Sequence, residues 1–116
     1  MQNIIIGTRG SELALIQTKM VVAALGDIET EIKIIKTTGD IDQKTPLKEI
    51  GGKEVFTREI DKALLDGEID IAVHSLKDVP GIIDDNITIA ATLPREDVRD
   101  SMIGAESIES LPQNAT

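Results

Sequence analysis

The order in which two apolar patterns alternate constrains this chain most. Residues Asn3 to Gly7, "NIIIG", form a short, continuous, β-branched run closed by glycine, the pattern of a strand buried on both faces. The next apolar residues recur at helical spacing: Leu13, Ile16, Met20, Ala23 and Ala24 share one face of a helix expected from Glu12 to about Leu25. Ser11 is placed to cap that helix and Gly26 to end it. "TEIKIIK", Thr30 to Lys36, alternates as a second strand nearer a sheet edge. A polar stretch from Thr37 to Gly52 has neither period and reads as a long loop. A second helix is expected from about Glu54 to Asp66, with Phe56, Ile60, Ala63 and Leu64 on one face and Gly67 as its stop. "IDIAVHS" follows as a third strand and "ITIAATL", Ile87 to Leu93, as a fourth.

Strand, helix, strand, loop, helix, strand is the order of parallel βαβ units with right-handed crossovers, so the expected fold is α/β, a mainly parallel sheet with helices on both faces. A chain of 116 residues, 41% hydrophobic and 28% charged, is sufficient for one modest domain. No apolar run approaches a bilayer span and no signal segment is evident at the start, so the expected location is the cytoplasm. A net charge of −9 and a single aromatic, Phe56, argue against nucleic-acid binding. Without cysteine, and with one histidine, the sequence has no disulfide, no thiolate nucleophile and no Cys- or His-rich metal site.

In parallel sheets ligands sit beyond the carboxyl ends of the strands. Arg9 and Ser11 follow the first strand, and Ser75, Lys77 and Asp78 follow the third, so both groups are expected on one rim. Arg9, just before a helix N-terminus, reads either as an anion site or as half of a surface ion pair. Lys77 and Asp78 read either as a ligand-binding pair or as a turn, and His74 as an interior residue or a base. "GGK" at Gly51 to Lys53 lacks the rest of a nucleotide P-loop, and that reading is rejected. "REDVRD", Arg95 to Asp100, is a solvated charge run or a hinge.

Together the segments are more specific than they are singly. "TRGSELALIQT", "TTGD", "GGKEVFTREIDKALLDGEIDIAVHSLKDVP" and "LPREDVRD" closely resemble, in order and spacing, the N-terminal domain of the hydroxymethylbilane synthase family, whose members are also called porphobilinogen deaminases. The resemblance implies a transferase of tetrapyrrole (haem) biosynthesis. It would condense porphobilinogen head to tail into linear hydroxymethylbilane, with ammonia released at each addition. It also implies a monomer of three domains, the first two like the lobes of a type II periplasmic binding protein with the active site between them. A dipyrromethane cofactor is held through a thioether to a cysteine of the third domain.

On that basis residues 1–94 are expected to be the first, incomplete lobe, 95–100 a hinge and 101–116 the opening of domain two, with domain three absent and the chain inactive alone. The resemblance makes Asp78 the catalytic carboxylate, stabilising the cation left by ammonia loss. Ser75, Lys77 and Asp78 would bind the cofactor, Ser75 as a hydroxyl donor. Arg9 and Ser11 would hold a substrate acetate or propionate, and Asp40 and Lys53 would bracket a lid over the cleft. No metal is implied. Two rivals use the same strand ends: a non-catalytic carboxylate-binding lobe of a periplasmic-type receptor, and a flavodoxin-like regulatory domain. The second predicts an acidic pocket after the first strand, where Arg9 stands instead.

Overall fold

The computed structural model describes residues 3–42, 44, 55–96, 107–110 and 113–114. Strand β1 (Ile4–Thr8) lies at the centre of a three-stranded sheet of order β2-β1-β3, with β2 (Thr30–Ile34) and β3 (Ile71–Ala72) both parallel to it. The register pairs Ile4 with Thr30 through Thr8 with Ile34 on one side, and Ile6 with Ile71 and Gly7 with Ala72 on the other. A continuous apolar run suits the central position, and Ile6, Gly7 and Thr8 are buried. β2 is an edge strand, as its alternation suggested, with Glu31 and Lys33 exposed along it.

Because β2 and β3 flank β1 on opposite sides, right-handed crossovers send their helices to opposite faces. Side-chain contacts agree. Ile5 packs on the core cluster Ile60, Ala63 and Ile69, beneath helix α3 (Arg58–Leu65). Thr8 points the other way, and its hydroxyl reaches the Ala14 carbonyl of helix α1 (Glu12–Leu25) at 3.5 Å.

Local chemistry sets the ends of α1 where expected. Ser11 accepts a hydrogen bond from the Ala14 amide at 3.3 Å, and Gly26 leaves the helix at φ +70°. The buried face differs from the expected one. Leu13 and Ile16 are each 50% exposed and Met20 36%, with Ala23 and Ala24 also outside, while Thr18 is buried. Apolar residues surround most of this helix, so periodicity permits two faces. Thr18 suits the inner one because its hydroxyl donates to the Ala14 carbonyl at 2.7 Å.

Four other expectations are corrected. Thr38–Ile41 forms a one-turn helix, α2, within the stretch read as aperiodic; Thr37 caps it by accepting from the Asp40 amide. Helix α3 begins at Arg58, and Val55 and Phe56 form a turn before it, with Gly67 (φ +75°) after its end. β3 is shorter than "IDIAVHS": its ladder is extended only by Asp70 N–H to the Ile5 carbonyl and Val73 N–H to the Gly7 carbonyl, so His74 lies beyond the sheet. "ITIAATL" forms no strand, since among the described residues no neighbour pairs with it; Ile89 is 55% exposed. Among the described residues, no helix is long and apolar enough to cross a membrane.

Candidate active site

The strand order reverses at β1, so the crevice between the carboxyl ends of β1 and β3 is a topological switch point. Arg9 leaves the first of these ends. After Val73 the chain leaves the second through His74 and Ser75 into a 3₁₀ turn, Leu76–Asp78. The two exits enclose a cavity of about 330 Å³ whose polar lining is Arg9, Ser11, His74, Ser75, Lys77 and Asp78. All five cavity residues expected from sequence are thus brought together, with His74 added.

Arg9 organises the floor. Its Nε lies 3.1 Å from both carboxylate oxygens of Asp40, its Nη2 also donates to Asp40 Oδ1, and its Nη1 reaches Asp78 Oδ2 at 3.5 Å. The guanidinium carbon stands 4.3 Å from the centre of the Phe56 ring. Asp40 in turn accepts the Thr37 hydroxyl at 2.7 Å. Hydrogen bonding to Arg9, reinforced by Thr37, holds the Asp40 carboxyl below the usual range, and Asp40 holds the Arg9 guanidinium above its own.

This geometry revises two expected roles. Asp40, expected to bracket a lid, bonds Arg9 from the one-turn helix; Lys53, expected to bracket the lid with it, lies outside the described residues. Arg9 does not present an open fork to a ligand, because its Nε and Nη2 edge is filled by Asp40.

The two serines also differ. The Ser75 hydroxyl donates to Gln17 Oε1 on α1, so toward the cavity it offers an acceptor oxygen and not the expected proton. Ser11 accepts from the Ala14 amide and retains its proton for a ligand. Lys77 is exposed, while Asp78 is 19% exposed at the side chain. The Arg9–Asp40 bond, the Phe56 shelf and the Gln17 contact were not expected from sequence. "TTGD" does carry a readable signal, a Thr-x-x-Asp capping pattern that places Asp40 in a helical first turn.

His74 is a neutral member of the cavity. Burial pushes its pKa below the ordinary 6.5, outweighing the opposite pull of Asp78, and its Nε2 is buried without a hydrogen-bond partner among the described residues. An imidazole disfavoured as a cation in the fold takes up its proton on unfolding, so this contribution to stability is lost as pH falls below 6.5 and onward through the lowered native value. His74→Gln is therefore expected to narrow the difference in thermal midpoint between about pH 7.5 and about pH 5.5. An unchanged difference assigns the acid sensitivity elsewhere.

A parallel α/β unit with a carboxylate and cations gathered at its switch point belongs to the class of ligand-binding α/β domains. Residues 4–116 match the family model described as "Porphobilinogen deaminase, dipyromethane cofactor binding domain", and the chain belongs to that family. It is similar to the porphobilinogen deaminase of Rickettsia typhi, 55% identical over 116 residues, covering 95% of this chain and 39% of the relative. That of Rickettsia prowazekii is 54% identical over the same shares. The porphobilinogen deaminase of Clostridioides difficile is 49% identical over 120 residues, covering 97% of this chain and 40% of the relative. The chain thus spans about two fifths of the length of these relatives.

Proposed function

We propose that this chain is the first lobe of a porphobilinogen deaminase, a transferase that condenses porphobilinogen into linear hydroxymethylbilane, and that Asp78 is its catalytic carboxylate. In this reading the lobe is of the type II periplasmic-binding kind, residues 95–100 hinge it to a second, and the complete active site is a cleft to which this cavity contributes one wall. The observation that supports it most is Asp78 itself: a carboxylate 19% exposed, lining a cavity at the switch point and touched by a guanidinium.

The cavity's donor set suits a dipyrromethane, which carries carboxylate side chains and pyrrole N–H donors. Lys77 and the Ser11 proton would meet carboxylates, and Asp78 would accept pyrrole N–H groups. When bound, the cofactor supplies the α-carbon to which a first substrate is joined. This chain has no cysteine, so the thioether belongs to another part of the protein.

Toward substrate, Asp78 acts electrostatically. Ammonia leaves the aminomethyl carbon with the C–N bonding pair, and the positive charge left behind is shared with the pyrrole nitrogen. A fixed carboxylate in a partly desolvated cavity stabilises that charge without reorganisation. The same carboxylate accepts the proton lost when the newly bonded ring regains aromaticity. His74, neutral, adds no competing positive charge.

The test is the full-length protein incubated with porphobilinogen. Ammonia release, bilane formation and an intact mass raised by a dipyrrole are expected, whereas the isolated chain should give none of these. Binding without ammonia release would instead favour a non-catalytic carboxylate-binding lobe.

A further inference from the structure

We propose that Asp40 is a positioning residue that holds the Arg9 guanidinium to itself, leaving the negative charge of Asp78 uncompensated for the cation formed on substrate. The inference rests on the reading of Asp78 given above.

The argument is one of charge and geometry. Counted by themselves, Arg9, Asp40 and Asp78 sum to −1, from one guanidinium and two carboxylates that both touch it; Lys77, exposed, lines the same cavity. The sharing is unequal: Nε and Nη2 both serve Asp40, while Asp78 receives one long contact of 3.5 Å from Nη1. Without Asp40, one guanidinium and one carboxylate remain. They would close into a bidentate pair that is electrically neutral, and a neutral pair does little for a developing cation.

The anchor is itself fixed from behind. Thr37 donates its hydroxyl to Asp40, and Glu59 on α3 accepts both the Thr38 amide, at 3.0 Å, and the Thr38 hydroxyl. Phe56 supports the guanidinium from its face. Asp40 is thus held where Arg9 can reach it. Among the described residues, the titratable or charged groups facing Asp78 across the cavity are Arg9 from the turn after β1 and His74 and Lys77 from the segment after β3. The α1 residues lining the cavity there, with Ser11 before them, are uncharged.

Asp40→Asn separates charge from scaffold, since asparagine keeps an acceptor for Thr37 and Arg9. In the full-length protein we expect kcat to fall about 10- to 100-fold with KM changed less than about threefold, because the lost interaction is made to a charge present only after ammonia departs. In a crystal structure of that full-length variant the Arg9 guanidinium should turn to Asp78 and meet it with two nitrogens in place of the single 3.5 Å contact. Arg9→Gln combined with Asp40→Asn should recover part of the lost kcat, since no guanidinium is left to neutralise Asp78, a result that a purely structural role for Asp40 does not produce.

An Arg9 guanidinium that stays against residue 40 in Asp40→Asn, with Asp78 no nearer than 3.5 Å, overturns the inference, whether or not activity falls. Should that variant not fold, Thr37→Val, which removes the hydroxyl donated to Asp40, is expected to bring Arg9 toward Asp78 by a smaller step; no movement of the guanidinium overturns the inference equally. If the wild-type protein releases no ammonia from porphobilinogen, the proposed function fails, while the position of Arg9 in the variant still decides whether Asp40 holds it away from Asp78.

Discussion

Replacing Asp78 by asparagine in the full-length protein is expected to lower the release of ammonia from porphobilinogen by about 10²–10³-fold, the usual effect of removing one preorganised group from a developing charge. The substitution keeps the shape of the side chain and one acceptor oxygen for a pyrrole N–H. It removes the charge. The loss should therefore fall on kcat more than on KM, because the ground-state hydrogen bond survives and the interaction with the cation does not.

Stability should change little. Asp78 makes one contact at 3.5 Å with Arg9 in a partly exposed site, and Arg9 retains Asp40. A fold-preserving Asp78→Asn protein that turns over at near-normal rate would take Asp78 out of the central role. A loss of turnover matched by a collapse of the thermal midpoint would leave the role undecided; Asp78→Glu, which keeps the charge on a longer arm, then distinguishes a misplaced carboxylate from a missing one. It should retain more activity than Asp78→Asn.

Which parts of this picture could be read from the residues follows from how local their causes are. The ends of α1 depend on a hydroxyl at Ser11 and a left-handed backbone at Gly26, both one-residue properties, and they fall where the chain places them. Its buried face depends on what lies opposite, and a helix apolar on several sides does not announce which one that is. The fourth strand failed for the same reason: "ITIAATL" has strand propensity, but a strand exists only where another backbone pairs with it.

The site divides along the same line. Arg9 and Asp78 are 69 residues apart, yet their meeting was legible, because parallel topology brings both strand ends to one rim. Arg9 and Asp40 are 31 residues apart and carry no topological rule that joins them. Asp40 reaches Arg9 through a one-turn helix that a capping pattern could suggest but whose direction only tertiary packing decides. The direction of the Ser75 hydroxyl is set similarly by Gln17, a residue of α1 that no spacing connects to it.

Packing beneath the site leads to the second large effect, at Gly39. This glycine is buried in α2, and a Cβ added there would lie 2.4 and 2.6 Å from two carbons of the Phe56 ring and 2.9 Å from a methyl of Val55. Val55 is fully buried and has little room to retreat, so the ring must shift. Helix propensity alone favours alanine over glycine by about 1 kcal/mol, but this is one residue's worth of backbone entropy set against overpacking of about 1–3 kcal/mol at a tight contact. Overpacking wins. Gly39→Ala is therefore expected to lower stability, and Gly39→Val to lower it further. Because the displaced ring is the one beneath the Arg9 guanidinium, at 4.3 Å, turnover of the full-length protein should fall in the folded fraction as well. Combining Gly39→Ala with Phe56→Leu separates the two consequences. The smaller side chain makes room and should restore much of the thermal midpoint, while the cation–π contact stays lost and activity recovers less. If Gly39→Ala is as stable as wild type, or if Phe56→Leu restores activity and stability together, the close packing of α2 against Phe56 does not position Arg9.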